Sequence, residues 1–269
     1  MKRLAVLGPE GTYASKAATL LKDKYEIVYY PTILSSLAAQ SMDEDVLIPF
    51  ENTLDGFVME ALDAVIRKSY YITEEVKLPI GFQFIGKTDD LNQVKEVYVQ
   101  HKTYGQCLQF ILGHQLKPLI TQSNIESMET FLKNSSLEVG AIIPIHTDPL
   151  NYPTIPNVAD SIDNETRFVR LSKEHIIPDN MNLVVSMVIT PLEDRFGILC
   201  SILNTFKDYQ LNLRTILSRP RRDMIGKYVF YMEIDILKSR LDMLEKIEEE
   251  IKNKDCKLEI LGIYNKLEE

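Results

Sequence analysis

Short apolar runs alternate with stretches of helical period through the first 175 residues. Residues 3–7, 26–30, 46–49, 81–85, 94–99, 119–121, 140–143 and 168–171 are brief and rich in Val, Ile and Tyr, which predicts strands. Between several of them lie helix candidates. Residues 14–21 set Ala17, Leu20 and Leu21 on one face, and residues 58–66 repeat Val58, Leu62, Val65 and Ile66. Residues 104–112 and 125–132 follow the same rule. The alternation predicts an α/β architecture with mostly parallel sheets.

After Ile177-Pro178-Asp179-Asn180 the rhythm changes. Strand patterns at 184–189, 211–217, 228–236 and 258–264 enclose helix patterns at 197–207 and 241–252. That order, βαββαβ, predicts a small ferredoxin-like domain. The boundary falls at 177–183, dividing the chain into 1–178 and 183–269.

Length and charge support the division. At about 150 residues per domain, 269 residues predict two. The net charge of −9 is uneven: residues 1–182 carry 16 basic and 24 acidic side chains, and residues 183–269 carry 14 and 15. A negative chain repels phosphate backbones, which argues against nucleic-acid binding. Three scattered cysteines, Cys107, Cys200 and Cys256, lack metal-site or disulfide spacing. The apolar run from Leu4 to Leu7 is too short for a signal core or a membrane span. A cytoplasmic protein with no membrane partner is the expectation.

Four polar clusters follow predicted strands or enter one. Gly8-Pro9-Glu10-Gly11-Thr12-Tyr13 precedes a helix and reads as an ordinary βα loop or as an anion site at a helix start. Glu51-Asn52-Thr53-Leu54-Asp55-Gly56 reads as helix capping or as site chemistry at a strand end. His101, with Gln106 one turn into the next helix, could face the same cleft. Asn164-Glu165-Thr166-Arg167-Phe168 pairs a hydroxyl with a guanidinium, either a carboxylate clamp or a surface salt bridge. His114, His146 and His175 have no ligand-like spacing and receive no role.

Together and in order, these clusters resemble the prephenate dehydratase family over residues 3 to 264. Gly197-Ile198-Leu199, Asn212-Leu213 and Ser218-Arg219-Pro220 resemble an ACT amino-acid-binding module. The resemblance implies a two-lobed catalytic region like a periplasmic binding protein, the chain crossing between lobes near 78–81 and returning near 158–160. It implies conversion of prephenate to phenylpyruvate with loss of carbon dioxide and water, without metal or organic cofactor. Thr166 would bond or protonate the departing hydroxyl, with Glu51 or His101 better matched as proton donors near neutral pH. Arg167 would clamp a substrate carboxylate. Asn52, Thr53, Gly11, Thr12, Gln106 and Phe168 would complete the substrate site. The ACT module would bind phenylalanine as feedback effector through Gly197, Ile198, Leu199, Asn212, Leu213, Ser218 and Arg219, and pair subunits into a homodimer or homotetramer. Departures occur: Leu217 stands where the family usually carries Glu, Ile198 where it carries Ala, Thr53 where it carries Ser, and Lys102-Thr103 where it carries Pro-Gln.

Overall fold

The computed structural model describes residues 1–39, 44–67, 70–193, 195–221 and 227–266. Its first sheet is built from β1 (Lys2–Leu7), α1 (Tyr13–Thr19), β2 (Tyr25–Tyr30), α2 (Ile33–Ala38), β3 (Glu44–Asn52), β4 (Gly56–Phe57), α3 (Met59–Arg67) and β5 (Tyr71–Pro79). The chain then enters a second sheet through β6 (Phe82–Gly86), β7 (Glu96–Gln100), α4 (His101–Gln106), α5 (Leu108–Gly113), β8 (Lys117–Thr121), α6 (Asn124–Lys133), β9 (Val139–Pro144) and β10 (Thr154–Ile155). It returns to the first sheet as β11 (Glu165–Ser172). The strand orders are β2-β1-β3-β11-β5, with β4 on β3, and β10-β6-β9-β7-β8. Two lobes therefore face each other across the segments joining β5 to β6 and β10 to β11.

Both sheets are mixed, a correction to the mostly parallel expectation. β1 runs parallel to β2 and β3, but β11 lies antiparallel to both β3 and β5. The reason is the crossing itself, since the outgoing and returning strands lie side by side in the first sheet. β5 escaped the apolar pattern because Glu74 and Glu75 interrupt it, and both acids are consumed by arginines. Glu74 meets Arg170 at 2.9 Å, and Glu75 meets Arg214 at 2.9 Å. The 104–112 pattern resolves into two short helices that break at Cys107.

The remaining elements are β12 (Asn182–Pro191), α7 (Ile198–Asp208), β13 (Asn212–Pro220), β14 (Tyr228–Leu237), α8 (Met243–Lys252) and β15 (Cys256–Asn265). They form an antiparallel sheet of order β13-β14-β12-β15. Alternation along the strands commits one face to each neighbour. Leu183, Val185, Met187, Phe230, Met232 and Ile234 pack under α7 and α8. Val184, Val188, Tyr231 and Tyr264 pack instead on Phe50, Ile72, Val169 and Leu171 of the first lobe. With both faces buried, these strands read as nearly continuous apolar runs. Gly262 marks the closest approach, because a Cβ there would sit 2.1 Å from the Ile72 carbonyl oxygen.

Candidate active site

The loops that follow the parallel strands of both lobes converge on one cavity of about 340 Å³. Gly8 and Thr12 reach it after β1, Asn52 and Asp55 at and after the end of β3, Gln100, Lys102 and Thr103 around the start of α4, and Gln122 to Asn124 after β8. Ligand sites at the carboxyl ends of strands are the general rule for α/β sheets. Ile33, Val58, Ile80, Phe82 and Phe168 give the cavity an apolar wall.

Thr166, on β11, points into this cavity and is fixed by an amide network. Asn52 Nδ2 donates to Thr166 Oγ1 at 3.0 Å, to Asn164 Oδ1 at 2.7 Å and to the Glu165 carbonyl at 3.0 Å. Asn52 Oδ1 accepts from the backbone N–H groups of Leu54 and Asp55 at 3.0 and 3.1 Å. Backbone N–H groups only donate, so they fix which end of the amide is oxygen. Thr166 Oγ1 is thereby an acceptor from Asn52, leaving its own proton available for a group in the cavity. The network continues across the lobes: Asn164 Nδ2 donates to Gln106 Oε1 at 3.1 Å, and Gln106 Nε2 donates to Asp55 at 3.1 Å.

Arg167 is turned the other way, which corrects its expected role as a carboxylate clamp. Successive residues of a strand face opposite sides, so a cavity-facing Thr166 and Phe168 send Arg167 through the sheet. It is buried there, 3.0 Å from Glu233 and 3.3 Å from Glu75. Glu51 follows it. The β3–β11 register shifts between Arg167 and Phe168, where Phe50 has no partner of its own on β11. Glu51, opposite Arg167, lies on the far face with Oε2 3.0 Å from Arg167 Nη2. Strand alternation is the available signal for both, in the Thr-Arg-Phe run for Arg167 and in the Glu51-Asn52 pair for Glu51.

His101 is a third correction. It begins α4 exposed and does not line the cavity, whereas its neighbours Lys102 and Thr103 do. Among the described residues Lys102 is the only cation in the lining, a position that no motif argument singled out. Thr53 is likewise displaced, its hydroxyl accepting from the Glu165 N–H at 3.0 Å and so clipping β3 to β11. Gly11 adopts a left-handed φ of +87° but directs its carbonyl to His146 Nε2 at 3.3 Å. Thr12 does line the cavity while capping α1 through the Ser15 N–H.

His146, whose sequence spacing suggests no role, bridges the lobes. Its ring packs edge-on against Tyr13 with centroids 4.7 Å apart. Burial lowers its pKa below the ordinary histidine value, despite the Gly11 contact. Tyr13 crosses in turn, bonding the Gly81 carbonyl and accepting from the Gly81 N–H at 2.9 Å. Burial pushes its hydroxyl up to about 12. Cys107, fully buried, is also pushed up to about 12 by burial first and Asp160 second, which suits packing rather than nucleophilic chemistry.

The residues expected to bind an effector fall in different places among the described residues. Asn212 and Leu213 line a hollow of about 480 Å³ beside α7, while Ile198 lines a separate hollow of about 30 Å³ with Tyr228 and Phe230. Gly197 caps α7 with a φ of +78°, Leu199 packs against the core beneath α7 and Ser218 is exposed. Arg219 reaches toward α3, where Asp63 holds its guanidinium at 2.8 and 2.9 Å.

Fold and cavity define a two-lobed α/β enzyme with a cleft between lobes and an appended βαββαβ unit. Comparison makes the class specific. The sequence profile of the prephenate dehydratase family matches residues 4–176, and the chain belongs to that family. Prephenate dehydratase of Bacillus subtilis (strain 168) is 29% identical over 292 residues, spanning 97% of this chain and 98% of that protein. The solved prephenate dehydratase of Staphylococcus aureus subsp. aureus Mu50 aligns at 25% identity with a TM-score of 0.82, covering 98% of this chain and 100% of that one. A prephenate dehydratase from Arthrobacter aurescens, solved in complex with L-Phe, shares the fold at 22% identity and a TM-score of 0.83, over 98% and 90% of the two chains.

Proposed function

We propose that the cleft converts prephenate to phenylpyruvate. The bond from the ring to its carboxylate breaks, releasing carbon dioxide and leaving its electron pair in the ring. The ring C–O bond breaks with the departing hydroxyl, which takes one proton and leaves as water. Aromatisation drives both cleavages. The observation that carries this reading is the Thr166 hydroxyl, which lines the cavity and accepts from Asn52, so that its own proton is free to bond a group there. That proton bonds the leaving hydroxyl and stabilises the charge that develops on it.

Lys102 fills the clamping role that the resemblance implies for Arg167. A single cation suits this reaction, because one substrate carboxylate needs holding and the other must leave. Lys102 grips the side-chain carboxylate, and the wall of Phe168, Ile80 and Phe82 leaves the ring carboxylate poorly solvated and ready to lose carbon dioxide. Net negative charge over the lobes makes this local cation the main electrostatic attraction for a dianion.

The C-terminal unit is read as an ACT domain. Its βαββαβ order, the sheet order β13-β14-β12-β15 and the left-handed Gly197 at the start of α7 support that reading. The Arthrobacter relative solved with L-Phe supports phenylalanine as effector. Residues 1–178 then form the catalytic domain and 183–269 the regulatory one, pairing between subunits of a cytoplasmic homo-oligomer. The test is phenylpyruvate formation from prephenate by the purified protein, with and without phenylalanine. Product that falls on adding phenylalanine is expected; product unaffected by it would remove the effector reading, and no product would remove the reaction.

A further inference from the structure

The side of β11 that faces away from the cleft carries a buried ionic lattice that joins the C-terminal unit to the residue beside Thr166. Glu233 on β14 is fully buried, with the apolar Met232 and Ile234 on either side. Both of its oxygens lie 3.0 Å from Arg167 Nη1. It is also tied to its own unit, accepting from Tyr231 at 2.6 Å, Tyr264 at 2.9 Å and Ser186 at 3.0 Å. Burial acts to raise the Glu233 carboxyl pKa, but the Arg167 charge and the Tyr231 bond outweigh it and hold it below the usual range.

A second strand of the unit reaches the same place. The β13–β14 register shifts between Leu213 and Thr215, where Arg214 lies, and Arg214 bonds Glu75 on β5 at 2.9 to 3.2 Å. Arg214 directly follows Asn212 and Leu213, which line the hollow beside α7. Glu75 in turn lies 3.3 Å from Arg167. Arg167 also stacks its guanidinium over Phe50 at 5.3 Å. Close contact between Gly262 and the Ile72 backbone leaves no slack in the docking.

Buried charge pairs tolerate stretching poorly, because separation leaves an uncompensated charge in a low-dielectric setting. Displacement of β13 or β14 therefore pulls on Arg167, whose backbone neighbour is Thr166. We propose that Glu233 is a positioning residue for the dehydration: through Arg167 it sets the position of the Thr166 hydroxyl, so that the docked C-terminal unit is part of what makes the cleft competent. This rests on the reaction proposed above.

The test uses the full chain. Glu233→Gln keeps the shape but removes the charge. A fall in kcat of tenfold or more is expected, with KM for prephenate within threefold, because Lys102 and the cavity wall are untouched. Glu233→Asp, which keeps the charge, recovers part of the rate. Circular dichroism and thermal melting identify the folded fraction. If Glu233→Gln fails to fold, the double replacement Arg167→Met with Glu233→Met exchanges the pair for apolar side chains, and the folded double variant still shows the kcat loss. A folded variant of either kind with parental kcat overturns the inference, as does a rate loss that tracks only the unfolded fraction. Parental turnover measured alongside separates the two ideas: no turnover by the parent overturns the reaction, whereas equal turnover by parent and variant overturns the positioning role alone.

Discussion

Asn52→Asp is a near-isosteric change that inverts one hydrogen bond at the centre of the cleft. Asn52 Nδ2 now donates to Thr166 Oγ1, Asn164 Oδ1 and the Glu165 carbonyl, at 2.7 to 3.0 Å. A carboxylate cannot donate, so the Thr166 proton turns back to it and away from the substrate. The Oδ1 side survives, because the Leu54 and Asp55 N–H groups still find an acceptor. The loss at the reaction is that of one preorganised donor to a leaving oxygen, roughly 10²- to 10³-fold in kcat, or about 2.7–4 kcal/mol. The cost to folding is smaller, about 1–3 kcal/mol for the acceptors left unpaired. Initial rates of phenylpyruvate formation, with a thermal melt to confirm folding, measure both. A folded variant whose kcat stays within about threefold of the parent would refute the reasoning, since Thr166 would then not need Asn52 to direct its proton.

Three further outcomes follow from the geometry. Lys102→Met removes the only cation of the described cavity lining, and loss of a charge-assisted contact of about 1.5–3 kcal/mol predicts a KM increase on the order of 10- to 100-fold with melting temperature unchanged. Gly262→Ala drives a methyl into the Ile72 backbone, so denaturant unfolding should report a loss of about 1–3 kcal/mol. His146 has a folded pKa below its unfolded value near 6.5, so the unfolded state takes up the proton first as pH falls. Its neutral, lobe-bridging form is therefore stable above that value, and stability falls as pH drops below it; melting from pH 8 to 5 should show a decline that His146→Phe flattens.

Much of the architecture was readable because burial and period coincide. The strands of the C-terminal unit bury both faces, so residues 184–189 and 228–236 read as strands without help from context. β5 was hidden for the opposite reason, since Glu74 and Glu75 look solvated until the arginines that hold them are seen. The site was legible by cluster and not by side chain. Four polar clusters do converge on or beside one cavity, yet residue type alone sent Arg167 and Glu51 into it, where strand alternation and the β3 register shift send them out. Lys102 and His146 are not legible from sequence, because each depends on a juxtaposition of distant segments that spacing does not encode.

The account turns on the Thr166 hydroxyl. Prephenate incubated with the parent protein should yield phenylpyruvate and carbon dioxide in equal amounts, and Thr166→Ala, folded to the same melting temperature within a few degrees, should lose turnover by a factor on the order of 10² or more. Parental turnover by a folded Thr166→Ala protein would contradict it.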